Sequence, residues 1–73
     1  MNTVVKTTNG KYVWIDTCIT PMENKWDTIV VPCNSRGFVS SWKELEMRHY
    51  ENGVDAMAGH RELVKKWENR SLI

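Results

Sequence analysis

A small α+β domain is what this chain of 73 residues predicts: an antiparallel sheet of three or four strands with one C-terminal α-helix packed on one face. Three observations carry the prediction. Residues 52–67 hold a clean helical stripe. Asn9-Gly10 sits between two runs rich in β-branched and aromatic residues, as in a β-hairpin. A third such run, Trp26 to Val31, stands between a turn containing Pro21 and a second proline, Pro32.

The hairpin comes first in the chain. Asn-Gly favours a two-residue turn with positive φ at both positions. Such a turn pairs Thr8 with Lys11, Lys6 with Val13 and Val4 with Ile15. The second strand continues through Asp16-Thr17-Cys18-Ile19. Thr20 to Lys25 reads as a turn, because Pro21 has no N–H to give a ladder. Pro32 is expected to end the third strand, and Asn34-Ser35-Arg36-Gly37 forms a turn cluster.

Phe38 to Tyr50 carries two competing signals. Ser41-Trp42-Lys43-Glu44 matches a capping box and argues for a helical turn. Leu45, Met47 and His49 alternate with Glu46, Arg48 and Tyr50, which argues for a strand. The favoured reading is a turn near Trp42 followed by a short edge strand ending at Tyr50. Asn52 then caps the last helix, with Asp55 near its positive end. At ~100° per residue, Ala56, Met57, His60, Leu63, Val64 and Trp67 share one wedge. Gly59 costs helix propensity, and close approach to the sheet would explain its presence.

Composition bounds the function. At this length the chain, 1–73, is a single domain that needs a dense core. Its four tryptophans, two tyrosines and one phenylalanine supply the area. Ten basic and nine acidic residues leave a net charge of +1, too balanced for bulk attraction to nucleic acid. No apolar run reaches membrane-spanning length, and the first residues lack the apolar stretch of a signal peptide. The expectation is therefore a cytoplasmic protein with no membrane partner, whose Cys18 and Cys33 are free thiols.

The alternation expected for the strands places Tyr12, Trp14, Asp16 and Cys18 on one face with Trp26, Thr28 and Val30. Val13, Ile15, Thr17 and Ile19 then share the other face with Ile29, Val31 and Cys33. The second face is the purer apolar one, so the helix is assigned there. Tyr12, Trp14, Trp26 and Val30 are left as a partner-binding surface, since contiguous exposed aromatics mark interaction sites. The competing reading is that the segment from Phe38 to Trp42 folds over them.

No catalytic motif is present, and no cofactor is expected. His60 is read as a buried structural histidine, held by strand carbonyls, Asp16 or Tyr50, rather than as a base or ligand. Cys18, Cys33, His49 and His60 lack the close pairs of a zinc site, and the two cysteines fall on opposite faces, so neither metal nor disulfide is expected. Glu44 with Glu46, or Asp16 with Asp27, could in principle do acid–base work, but unclustered acids are most often solvated surface charge. Arg61, Lys65, Lys66 and Arg70 form a mildly basic outer helix face. It could meet phosphates, although Glu62 and Glu68 interrupt it and a Glu62–Lys66 pair would suit a solvated face.

Two blocks also resemble a known group of short phage-encoded proteins of unknown function. One is Trp26-Asp27-Thr28-Ile29-Val30-Val31. The other runs from Tyr50 through Asn52, Asp55-Ala56-Met57-Ala58-Gly59-His60 to Leu63 and Val64, with Tyr12 to Thr17 as the matching upstream strand. The chain has His49 where that group has arginine, and Asn52 where it has a Thr or Ser cap. The resemblance implies a phage or prophage origin and supplies no activity. Small phage proteins without enzymatic motifs often bind host machinery. The expectation is thus a non-enzymatic protein, acting in the host cytoplasm by protein–protein interaction. It would bind a host protein, for instance inhibiting a defence nuclease in the anti-CRISPR manner, or form a homo-oligomer. The alternative is a small nucleic-acid-associated protein using the basic helix face.

Overall fold

The computed structural model describes residues 1–72 and has the predicted class. Strands β1 (Asn2–Lys6), β2 (Tyr12–Thr20), β3 (Lys25–Cys33) and β4 (Glu46–Tyr50) form one antiparallel meander in the order β1-β2-β3-β4. Helix α1 (Gly53–Glu68) follows and lies on one face. Asn52 caps it by accepting the Asp55 N–H at 2.9 Å, and the Asn52 amide donates back to the Asp55 carboxylate. This reciprocal pair satisfies a free helical donor and places a negative charge at the positive end of the helix.

Both hairpins depart from the expected register, for reasons of turn geometry. Gly10 has φ of 77°, but Asn9 does not join it at positive φ. The Gly10 N–H bonds to the Thr7 carbonyl, and Thr7 pairs with Lys11. The loop therefore has three residues, closed by a left-handed glycine, rather than two. Val4 faces Trp14 and Val5 faces Val13, one residue away from expectation. Since side chains alternate, the slip turns Val5 into the core and Val4 out of it.

The second turn has a larger effect. Thr20 pairs with Lys25, leaving Pro21, Met22, Glu23 and Asn24 as the loop, with Asn24 at φ of 53°. An even loop makes even-numbered β2 residues face odd-numbered β3 residues. Ile15 stands opposite Val30, Thr17 opposite Thr28, and Trp14 opposite Val31. The helix does cover Val13 and Ile15, as expected, but β3 is turned over relative to expectation. Val30 is in the core, with Val5, Val13, Ile15, Leu63 and Trp67. Trp26 lies beneath the start of α1, where a Cβ on Gly53 would be 3.3 Å from its ring.

Pro32 does not end β3. Its carbonyl accepts the Ser40 N–H, so its main-chain groups point away from β2, beyond the reach of β4. No β2 ladder bond is lost by lacking an N–H there. The Ser41 box does not start a helix: the Ser41 hydroxyl accepts the Lys43 N–H in a local turn, and the chain runs on to β4 without a helical turn. The edge strand ending at Tyr50 is present as expected. At the other end of the chain, Asn9 clamps the tail. Its amide oxygen accepts from Thr7 Oγ1 and Leu72 N, and its nitrogen donates to the Leu72 carbonyl.

Candidate protein-binding face

The helix leaves one sheet face open, and the register orders it in rows. Lys6, Tyr12 and Cys33 form the first row, and Val4, Trp14 and Val31 the second. Asn2, Asp16, Ile29 and Met47 form the third, and Cys18, Asp27 and His49 the fourth. Apolar side chains dominate the first two rows, the third is mixed, and the last is polar.

A strap formed by residues 34–45 folds over the apolar end. Its turn is held by Asn34, whose side chain accepts the Arg36 and Phe38 N–H groups. Gly37 passes so close to Val4 that an added Cβ would sit 3.0 Å from the valine methyl. Val39 pairs with Cys33, and the Trp42 ring meets Trp14 edge-on at 5.8 Å. Beneath the strap Val31 is fully buried, and burial pushes the Cys33 thiol pKa up. The strap thus covers part of the aromatic face while presenting aromatics of its own. Phe38 remains 67% and Trp42 66% exposed, with Val4, Leu45 and Met47 partly exposed beside them.

The residues expected to bind a partner are therefore divided. Tyr12 and Trp14 lie on the open face, half-buried. Trp26 and Val30 do not, because both point to the helix side. Phe38 and Trp42 take their place. The sequence signal for them was two large aromatics in a turn-rich segment, which can be read as a lid but also as an exposed display.

At the polar end, the His49 ring nitrogen lies 2.6 Å from the Asp27 carboxylate, and Thr20 donates to the other oxygen. The histidine contact is the main reason the Asp27 pKa falls below its ordinary value. Cys18 shares the row but sits beside Asp27 rather than His49, so the order is wrong for an activated thiol. Among the described residues no group of three or more His, Cys, Asp or Glu could hold a metal. Cys18 and Cys33 share a face after all, contrary to expectation. They stand opposite Asp27 and Tyr12, six positions apart along β2, or ~20 Å, too far for a disulfide.

His60 is buried on the helix side, and its partners are threonines rather than carbonyls, Asp16 or Tyr50. Its Nε2 lies 2.8 Å from Thr3 Oγ1 and its Nδ1 2.7 Å from Thr17 Oγ1, which in turn is 2.6 Å from Thr28 Oγ1. Desolvation lowers the His60 pKa below its ordinary value, helped by the N-terminal charge and opposed by Asp16. Gly59 is needed where Tyr50 crosses the helix, since a Cβ there would fall 2.0 Å from the phenol oxygen.

The basic helix face is partly used inside the chain. Lys66 bonds at 2.9 Å to Glu46, not to Glu62, and the Arg70 guanidinium stacks on Trp67 at 5.1 Å. Arg48 lies 3.9 Å from Glu62 and 2.9 Å from Glu46. Burial raises the Glu46 pKa, but the bonds from Lys66, Arg48 and the Trp67 indole outweigh it, and the net shift is down. Arg61 and Lys65 remain exposed. No helix among the described residues is long and apolar enough to cross a membrane. Comparison with family profiles, curated proteins and solved structures returns no match.

Proposed function

We propose that this protein is not an enzyme and acts by binding another protein through the strap-bearing face of its sheet. The supporting observation is that Trp42 is held against Trp14, and Phe38 by the Asn34 turn, with both rings largely exposed. Large aromatics on a rigid support carry much of the energy of protein interfaces, because they bury area at low entropic cost. The strap supplies the rigidity through the Asn34 turn, the Val39–Cys33 pairing and the Trp42–Trp14 contact.

The partner we favour is a host protein. The resemblance to short phage proteins points to a phage origin, to action in the host cytoplasm and to a target such as a defence nuclease. The nucleic-acid reading is weaker, because Lys66 and Arg70 are engaged within the chain. Affinity capture from host lysate with wild-type and Phe38→Ser/Trp42→Ser baits separates the two. An apolar protein interface survives high salt and is lost in the double variant. Capture of nucleic acid that high salt abolishes, unaffected by the double variant, refutes the proposal.

A further inference from the structure

The two flanks of α1 differ. Toward β4 the helix is closed down by Lys66 and Trp67 on Glu46 and by Glu62 near Arg48. Toward β1 it leaves a groove of 440 Å³ lined by Met1, Thr3, His60 and Val64 and by the charged Arg61, Lys65 and Glu68. These three charged residues form no ion pair among the described residues, unlike those on the β4 flank.

The strand beside this groove has a free edge. Met1 bonds to Thr17 in both directions, and Thr7 N–H bonds to Lys11. In an antiparallel ladder the bonded residues alternate. Odd-numbered β1 residues therefore face β2, and Asn2, Val4 and Lys6 turn their N–H and C=O groups outward. The next such group, Thr8 N–H, is taken by the Arg70 carbonyl at 3.0 Å, so the tail closes the edge just beyond Lys6. Helix α1 runs parallel to β1: His60 meets Thr3, and past the helix end Arg70 meets Thr8. The stripe Arg61, Val64, Lys65, Glu68 thus lies alongside the free edge.

We propose that a second copy of this chain docks here, β1 against β1, across a two-fold axis at Val5. Antiparallel pairing then exchanges bonds between Val4 of each copy and Lys6 of the other. The four-stranded sheet becomes eight-stranded. Because α1 parallels β1, the two helices run antiparallel, and each stripe reads against its own reverse. Arg61 of one copy then faces Glu68 of the other, which gives partners to charges that have none in the monomer. This self-complementarity is what selects a second copy over an unrelated strand. The same pairing sets Val4 of each copy beside Lys6 of the other on the open face and joins the two strap surfaces. The inference does not depend on what those surfaces bind.

Sedimentation velocity over a concentration series tests it. Wild type should be a dimer. Val4→Pro removes an outward N–H that β2 does not use, so the monomer should keep its melting temperature. The loss of two central bonds should raise the dimer Kd about thirtyfold or more. Glu68→Arg should weaken the dimer, and Arg61→Glu/Glu68→Arg should restore it. If Val4→Pro fails to fold, the charge-reversal pair decides alone. A wild-type chain that stays monomeric overturns the proposal. So does a folded Val4→Pro that remains dimeric, or a double reversal that associates no better than Glu68→Arg.

Discussion

Replacing Thr17 by valine should be among the most damaging near-isosteric changes in this domain. Thr17 is fully buried and is the middle link of the chain Thr28–Thr17–His60–Thr3. Valine preserves the shape and the strand preference but removes the hydroxyl. His60 Nδ1 and Thr28 Oγ1 both then lack a partner in a place water does not reach. Each orphaned buried group costs about 1–3 kcal/mol, giving ~2–6 kcal/mol in total. A domain of this size has about 5–10 kcal/mol to lose, so the melting temperature should drop by at least ~10 °C. Thr3→Val is the control, because Thr3 is only half-buried and water can replace its hydroxyl; its cost should be below ~1 kcal/mol. Urea and thermal unfolding followed by circular dichroism read both values. If Thr17→Val falls within ~0.5 kcal/mol of wild type, the threonine chain does not hold His60, and the account of its burial is wrong.

Other predictions concern packing, acid and the tail. Gly59→Ala should destabilise by about 3 kcal/mol, because its Cβ would overlap the Tyr50 phenol. Tyr50→Phe should be neutral or stabilising in the same melts, since the buried Tyr50 hydroxyl has no hydrogen-bond partner among the described residues. The folded-state pKa of His60 lies below its unfolded value, so the unfolded chain binds the proton first as pH falls. Stability should therefore be flat above about pH 6.5 and decline below it, and His60→Gln should remove that slope. Asp27 and Glu46, also lowered, should add a second decline below about pH 4.5, seen as a steeper loss of urea midpoint. Asn9→Ala should cost about 1 kcal/mol and speed amide exchange at Leu72, whose N–H bonds to Asn9.

The helix was legible because its signals are local. A 3.6-residue stripe and an asparagine three positions before an aspartate need nothing from elsewhere in the chain, and Gly59 announced the close approach that Tyr50 makes. The strands were legible for the same reason. Their register was not. It depends on whether Asn9 adopts positive φ along with Gly10, and on how many residues separate Thr20 from its partner. Each is a question of one residue, and each reverses every side chain that follows. That is why Val30 and Trp26 were expected outside, and why the cysteines were expected on opposite faces. His60 shows the same division. Its burial follows from its place in the stripe, but its threonine partners come from β1 and β2, and only the realised register brings them to it. Phe38 and Trp42 were visible as aromatics in a turn-rich stretch. Their role as the outer layer of the open face depends on a strap whose position is set by tertiary contacts with Val4 and Trp14.

In-cell photo-crosslinking tests the central claim that the strap face is the docking surface. A photoreactive phenylalanine analogue replaces Phe38 in one variant and Met22 in another, Met22 being fully exposed at the β2–β3 turn and away from the strap. Irradiation of the expressing cells should yield a discrete protein adduct from position 38 and none from position 22. Adducts of equal yield from both positions, or none from position 38, would contradict it.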